Sequence, residues 1–332
     1  MINIKSKLVK EVLDLKKVAQ APTRNGYGEG LVEAGKKNKN VVVLCADLTE
    51  STRSEAFAKE FPERFVEMGV AEQNMASVAS GMAAAGKIPY ISSYAMFSPG
   101  RNWEQIRTTV AYNERHIIIA GAHAGVSVGP DGATHQAIED IAITRVIPNM
   151  TVIVPCDAVE AKKATIEAAG LEGPVYLRFA REKTPVFTTD KTPFKVGRAE
   201  ILWDAKAMPL QVAIIACGPL THNALLAAAE LEKKGIKVRV INNHTIKPMD
   251  ESTILKAAKD AGCLVTVEEH QINGGMGSAV AEIVARNYPV PIEFVGVRNR
   301  FGESGEPNEL IEYFGMGPKH IIEAARRVIK RK

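Results

Sequence analysis

The chain has 332 residues, 46% of them hydrophobic and 24% charged, with a formal net charge of +4. That length fits two domains of about 150 residues each and supplies enough apolar material for real cores. The charge balance excludes a general binder of nucleic acid or anionic membrane, since the basic clusters (Lys36, Lys37, Lys39; Arg326, Arg327, Lys330, Arg331, Lys332) lack interleaved aromatics and read as solvated faces.

In residues 1–20, Ile4, Leu8, Val12 and Leu15 recur about one helical turn apart among lysines. The spacing predicts an amphipathic N-terminal helix rather than a signal peptide. Gly26-Tyr27-Gly28-Glu29-Gly30 follows, with the wrong spacing for a dinucleotide fingerprint and no strand before it. Short, non-alternating runs at 41–46, 88–92, 116–122, 151–156 and 175–179 predict strands covered on both faces. Helical patterns at 71–86 and 158–169 lie between them, giving a domain over 21–182. Residues 183–198 carry prolines and polar residues without periodicity, as a linker would. A second series occupies 199–332, with strands at 211–217, 236–242, 263–269 and 291–297. Helices at about 220–234, 251–260, 276–287 and 318–330 separate or follow them. The fold class is therefore α/β, in two domains that each hold a mainly parallel sheet flanked by helices. Gly274-Gly275-Met276-Gly277 reads as a tight turn, lacking the lysine of a phosphate loop. The four cysteines, Cys45, Cys156, Cys217 and Cys263, form no CxxC pair and fit a reducing compartment. No stretch approaches the ~20 apolar residues of a membrane span, so a cytoplasmic protein is expected.

Two segments carry chemistry. Glu72 opens a helix whose apolar face is Met75, Val78, Ala79, Met82 and Ala83, and whose many small residues permit close packing, even across a subunit boundary. Taken alone, an acid there is explained by the positive end of the helix dipole. The run from His123 to Gln136 follows a strand, where parallel sheets bind ligands. It brings His123, Asp131, Thr134 and His135 together among glycines. Two histidines beside an aspartate suit proton transfer and sugar-hydroxyl recognition; a braced loop accounts for one histidine but not for the whole cluster. Tyr94 and Phe97 stand just past a strand, placed either to stack on a flat heterocycle or to pack in the core. Arg24, Arg178 and Arg181 lie near element ends and suit either phosphate oxygens or ordinary ion pairs.

In order along the chain, CADLTES (45–51), MGVAEQNM (68–75), SYAMF (93–97), DGATHQ (131–136) and IPNMTVIVPCD (147–157) resemble the C-terminal half of transketolase. The resemblance covers the chain after residue 20 and implies a pyrimidine-binding domain followed by the family's C-terminal domain. It implies thiamin diphosphate as cofactor. Glu72 would bond the aminopyrimidine, Phe97 would stack on it with Tyr94 as a second aromatic, and Asp47 would lie near the thiazolium. Asp131 and His135 would act with Glu72 in catalysis and contact the substrate hydroxyls. Arg24, Ser51, His123 and Arg181 would hold the sugar phosphate, with Arg178 competing for the role of Arg181. The implied reaction moves a two-carbon ketol unit from a ketose phosphate to an aldose phosphate.

The chain departs from the family pattern at Ala124-Gly125, where a polar pair is usual, and at Ser98-Pro99-Gly100, where a tyrosine is expected. The family's GDG motif and its later asparagine are also missing; Pro130-Asp131-Gly132 is the only similar string. No metal ligand is therefore expected from this chain. The resemblance implies one subunit of a split enzyme, whose N-terminal partner carries the diphosphate and Mg2+ or Ca2+, in an α2β2 heterotetramer. The alternatives are a subunit of another thiamin enzyme (1-deoxyxylulose-5-phosphate synthase-like or 2-oxo-acid dehydrogenase-like) or a non-catalytic regulatory subunit.

Overall fold

The apolar runs become the strands of two sheets in a computed structural model that describes residues 1–205 and 209–332. The larger sheet has the order Thr245–Lys247, Thr151–Ile153, Val175–Arg178, Ile118–Ala122, Ile88–Tyr94, Val41–Cys45, Phe65–Glu67. Its pairings are parallel except the first, where Thr245–Lys247 runs antiparallel to Thr151–Ile153. Val41–Cys45 and Ile118–Ala122 are buried at every position, the physical reason their sequences do not alternate. Val41 and Val43 pack with Tyr27, Leu31, Ala161 and Ala164 on one side, whereas Val42 and Leu44 pack with Met75, Ala76 and Ala79 on the other. Helices Thr23–Lys37 and Ala158–Ala168 thus cover one face and Glu72–Ala84 the opposite one.

The second sheet runs Ile292–Val297, Leu264–Gln271, Val212–Ala216, Val238–Asn242, Glu200–Trp203, parallel apart from the last strand. Helices Leu220–Lys233 and Pro318–Ile329 flank it on one side, and Glu251–Ala261 and Met276–Asn287 on the other. One apolar cluster holds both Leu44 and Ile119 of the first domain and Ile215 and Leu264 of the second. The second domain also lends Thr245–Lys247 to the first domain's sheet, so the two share a core as well as a strand pairing.

Residues 1–20 depart from the predicted helix. Only Ile4–Ser6 makes a short 3-10 turn, and the rest is a strap laid along the second domain and the 183–198 stretch. The backbone N–H of Asn3 donates to Leu202 O at 2.9 Å, that of Val9 to Phe187 O at 3.0 Å, and the His222 ring pairs with Val12 O at 2.7 Å. Val12 and Val18 are buried, while Ile4 and Leu15 face solvent. Long-range backbone partners and two buried valines outweigh a local period of lysines and leucines. The stretch 183–198 is anchored too. Asp157 accepts from the N–H groups of Phe187 and Thr188 and from the Thr188 hydroxyl, and Phe187 is fully buried.

The glycine-rich segment with no element assigned from sequence is the helix Thr23–Lys37. A Cβ at Gly26 would run into the carbonyl oxygen of Ala158, and one at Gly30 would sit 2.6 Å from Thr165 Cβ. These glycines let two helices touch backbone to backbone, at some cost in helix propensity. At Gly274–Gly277 the turn opens helix Met276–Asn287, whose N-terminus is occupied by the Glu268 carboxylate, 2.7 Å from Met276 N and 2.8 Å from Gly277 N. All four cysteines are buried and free, and no described helix is long and apolar enough to cross a membrane.

Candidate active site

Parallel strands bring their carboxyl ends to one edge of the larger sheet, and the sequence-predicted residues follow those ends. Asp47 comes after Val41–Cys45, Glu72 after Phe65–Glu67, Phe97 after Ile88–Tyr94, His123 after Ile118–Ala122 and Arg181 after Val175–Arg178; Tyr94 is the last residue of its strand. Arg24 joins them from the first turn of Thr23–Lys37.

Glu72 is 1% exposed. Its carboxylate accepts from Ser93 Oγ at 3.2 Å and from Arg101 Nη1 at 2.8 Å. Arg101 also lies over the Phe97 ring, 4.8 Å from its centroid. Ser93 and Arg101 were not singled out from the sequence. Ser93 sits inside the SYAMF string, but nothing in the spacing of Arg101 marks it as the counter-ion of a residue 29 positions earlier.

Four rings form one patch. Tyr94 stacks on His123 with centroids 3.8 Å apart and on Phe97 at 6.1 Å, and His135 meets Phe97 edge-on at 5.5 Å. Both aromatics stay partly exposed and pack on each other and on the histidines rather than inside the apolar core clusters. Arg24 Nη1 lies 3.3 Å from His123 Nε2 and donates to the Ser51 backbone carbonyl at 2.7 Å. Arg181 donates to Val128 O at 2.8 Å and approaches Asp131 Oδ1 at 4.0 Å. The structure separates the two competing arginines. Arg178 is buried and bonded to Asp140, Ala137 O and Glu269 O, and so cannot serve a ligand, whereas Arg181 is half-buried at the edge. Asp47, with φ of 57°, is exposed outside the ring cluster; its N–H donates to Glu67 Oε1 at 2.7 Å, and Glu67 also accepts from Thr49 Oγ1 and Gly69 N. Glu67 is thus a brace for this turn that sequence patterning missed.

Burial, then the positive charges of Arg24 and Arg181, push the His123 pKa down to about 2. Its ring is neutral at working pH, able to accept a hydrogen bond through one nitrogen and donate through the other. His123 Nδ1 and Arg24 Nε are buried without a protein hydrogen-bond partner. We expect the His123 ring resonances to stay unchanged between pH 5 and 8 in a two-dimensional NMR titration; a midpoint near 6.5 would contradict the arrangement. His123 takes up a proton in the unfolded chain but not in the folded one, so its contribution falls as pH drops below about 6.5.

Among the described residues no group of three or more His, Cys, Asp or Glu side chains is placed to hold a metal ion. The arrangement supplies a buried carboxylate, a patch of aromatic rings, two cationic arms and a neutral histidine.

Comparison with known proteins agrees with this architecture. The transketolase pyrimidine-binding domain family matches residues 19–186, and the transketolase C-terminal domain family matches residues 205–321. A putative transketolase C-terminal section from Methanocaldococcus jannaschii is 45% identical over 312 residues, covering 93% of this chain and 96% of the relative. A 6-deoxy-6-sulfo-D-fructose transketolase subunit from a Clostridium species is 38% identical, covering 93% of this chain and 95% of the relative. A solved structure described as a split-gene transketolase, in an inactive β4 tetramer, superposes with a TM-score of 0.86 at 43% identity, covering 93% of this chain and 98% of its own. These matches extend through both domains, and the chain belongs to the transketolase family, corresponding to its pyrimidine-binding and C-terminal domains.

Proposed function

We propose that this chain is the C-terminal subunit of a split, thiamin-diphosphate-dependent transketolase that moves a two-carbon ketol unit from a ketose phosphate to an aldose phosphate. The observation that carries the reading is the buried Glu72 carboxylate beside the Phe97 ring. Arg101 tests the fit of a flat nitrogen heterocycle there, since one planar nitrogen group already satisfies the carboxylate at 2.8 Å and the ring at 4.8 Å together. The Arg101 side chain is 45% exposed, so it can turn to water when a ring with its own donors takes its place.

Thiamin diphosphate, when bound, supplies the carbon nucleophile that cleaves the ketose. The residues of this chain orient and tune. Glu72 would hold the aminopyrimidine through a shared proton, Phe97 and Tyr94 would stack on it, and Asp47 would lie towards the thiazolium. Arg24, Arg181, His123 and Ser51 bind the sugar phosphate, contributing remote binding energy to positioning. Asp131 and His135 contact the sugar hydroxyls, and Thr134 Oγ1, 2.9 Å from His135 Nδ1, fixes that ring. The reading gives the diphosphate and its Mg2+ or Ca2+ to an N-terminal partner carrying the GDG motif, in an α2β2 assembly. Relatives of matching length that are named as sections or subunits support it.

The test is reconstitution. The chain alone should transfer no ketol unit from a panel of ketose phosphates to aldose phosphates, and adding the partner with thiamin diphosphate and Mg2+ should restore transfer. Full activity of the lone chain would sink the split arrangement. Release of CO2 from pyruvate without ketol transfer would sink the transketolase assignment.

A further inference from the structure

We infer that the C-terminal domain sets the conformation of the substrate loop, with Glu269 as a positioning residue that clamps the backbone between His123 and Asp131. The inference rests on the reading of that loop as a sugar-phosphate site. Glu269 lies on Leu264–Gln271, an interior strand next to the edge of the second domain's sheet, and is 4% exposed. Its carboxylate reaches into the first domain and accepts from the backbone N–H of Ser127 at 2.6 Å. Gly125, at φ of 88°, lets the loop pass this carboxylate, because a Cβ there would run into Glu269 Oε1. A buried carboxylate is costly unless its oxygens are bonded, so Ser127 N and Glu269 Oε1 hold each other in place. Arg178 fixes the clamp from behind, donating to Glu269 O at 2.8 Å and to Asp140.

A second tie lies at the far end of the loop. Gln136 Nε2 donates to Val126 O at 2.9 Å within the loop and to Glu303 O at 2.8 Å in the second domain. A Cβ on Gly132, at φ of 73°, would sit 2.5 Å from Ser304 Oγ. His123 thus stands four residues before one interdomain contact, at Ser127, and His135 directly before the other, at Gln136. Glu269 acts through the backbone, so its loss should move the phosphate-holding groups and leave Glu72 and Phe97, on other elements, in place.

The experiment compares wild type, Glu269→Ala and Glu269→Gln. Hydrogen exchange of peptides spanning 123–131 is read by mass spectrometry on the chain alone. The partner complex is then assayed with a phosphorylated acceptor and its unphosphorylated analogue, and for thiamin diphosphate affinity. Alanine leaves the Ser127 N–H without its acceptor, so loop exchange should speed up and KM for the phosphorylated acceptor should rise about tenfold. KM for the unphosphorylated acceptor, kcat and cofactor affinity should change less than about twofold. Glu269→Gln, which keeps an acceptor oxygen, should recover most of the loss. If the alanine variant does not fold, Glu269→Asp withdraws the same carboxylate while keeping its charge, and should show the same split. Unchanged loop exchange would overturn the clamp, and an equal rise in KM for both acceptors would overturn the positioning role. Absence of ketol transfer in the wild-type complex would reject the functional reading instead, and the exchange result would then decide the clamp by itself.

Discussion

Replacing Glu72 with alanine is expected to lower kcat for ketol transfer by about 10²–10⁴-fold, the usual contribution of a positioned proton-transfer group. The fold should tolerate the change. The backbone at this position is pinned independently of the side chain, because Asn102 Nδ2 donates to Glu72 O at 3.1 Å and Met75 N to Ala71 O at 2.8 Å. The partner left behind, Arg101, is part-exposed and can rehydrate, and Ser93 loses one bond of 3.2 Å. That bond is worth about 1 kcal/mol, so stability should fall little. Glu72→Gln separates charge from shape. Its amide can still meet Ser93 but, under the proposed role, could not share a proton with an aminopyrimidine, so its kcat should fall nearly as far. Steady-state rates on the reconstituted complex, paired with thermal melts, measure both quantities. Activity within a few-fold of wild type in a folded Glu72→Ala complex would remove the carboxylate from the mechanism.

Much of this architecture is legible in the sequence because parallel strands buried on both faces write themselves as continuous Val and Ile runs. Val41–Cys45 and Ile118–Ala122 lie where such runs predict them, and helices Met276–Asn287 and Pro318–Ile329 match their apolar periods. Helix Thr23–Lys37 was not legible, because its glycines serve a contact with Ala158 and Thr165, far along the chain, against local propensity. The N-terminal strap misled in the opposite direction. Its period is helical, but its backbone partners are Leu202, Phe187 and Val186, which no local window contains. At the site, strand-end position and family resemblance picked out the rings and His123. They did not give Arg101, Glu67 or Glu269, whose contacts depend on tertiary placement. Arg178 shows the same limit: its type suits phosphate, and only its burial against Asp140 assigns it to structure.

That buried pair predicts the largest loss of stability. Asp140 and Arg178 are 2% and 5% exposed, and the guanidinium meets the carboxylate through two bonds, 2.7 Å from Nε and 3.2 Å from Nη2. Tyr176 adds its hydroxyl at 2.6 Å. Burial alone would raise the Asp140 pKa, yet Arg178, with help from His270 and Tyr176, holds it below its ordinary value. Asp140→Ala leaves a guanidinium in the core with two carbonyls and no directly bonded counter-charge, the Glu269 carboxylate being its remaining Coulombic partner, which should cost about 3–5 kcal/mol. The double variant Asp140→Leu/Arg178→Met removes both charges and should lose less than the single one, because the penalty comes from the unpaired ion. The carboxylate pKa is depressed in the folded state, so its contribution is complete above the unfolded value of about 3.9 and is lost as pH falls through the folded value. Urea midpoints should therefore differ most between wild type and Asp140→Ala near neutral pH and converge below about pH 4. A midpoint for Asp140→Ala within experimental error of wild type at pH 7 would show that Arg178 finds its compensation elsewhere. In that case the arginine behind the Glu269 strand would be held by the carbonyls of Ala137 and Glu269 alone.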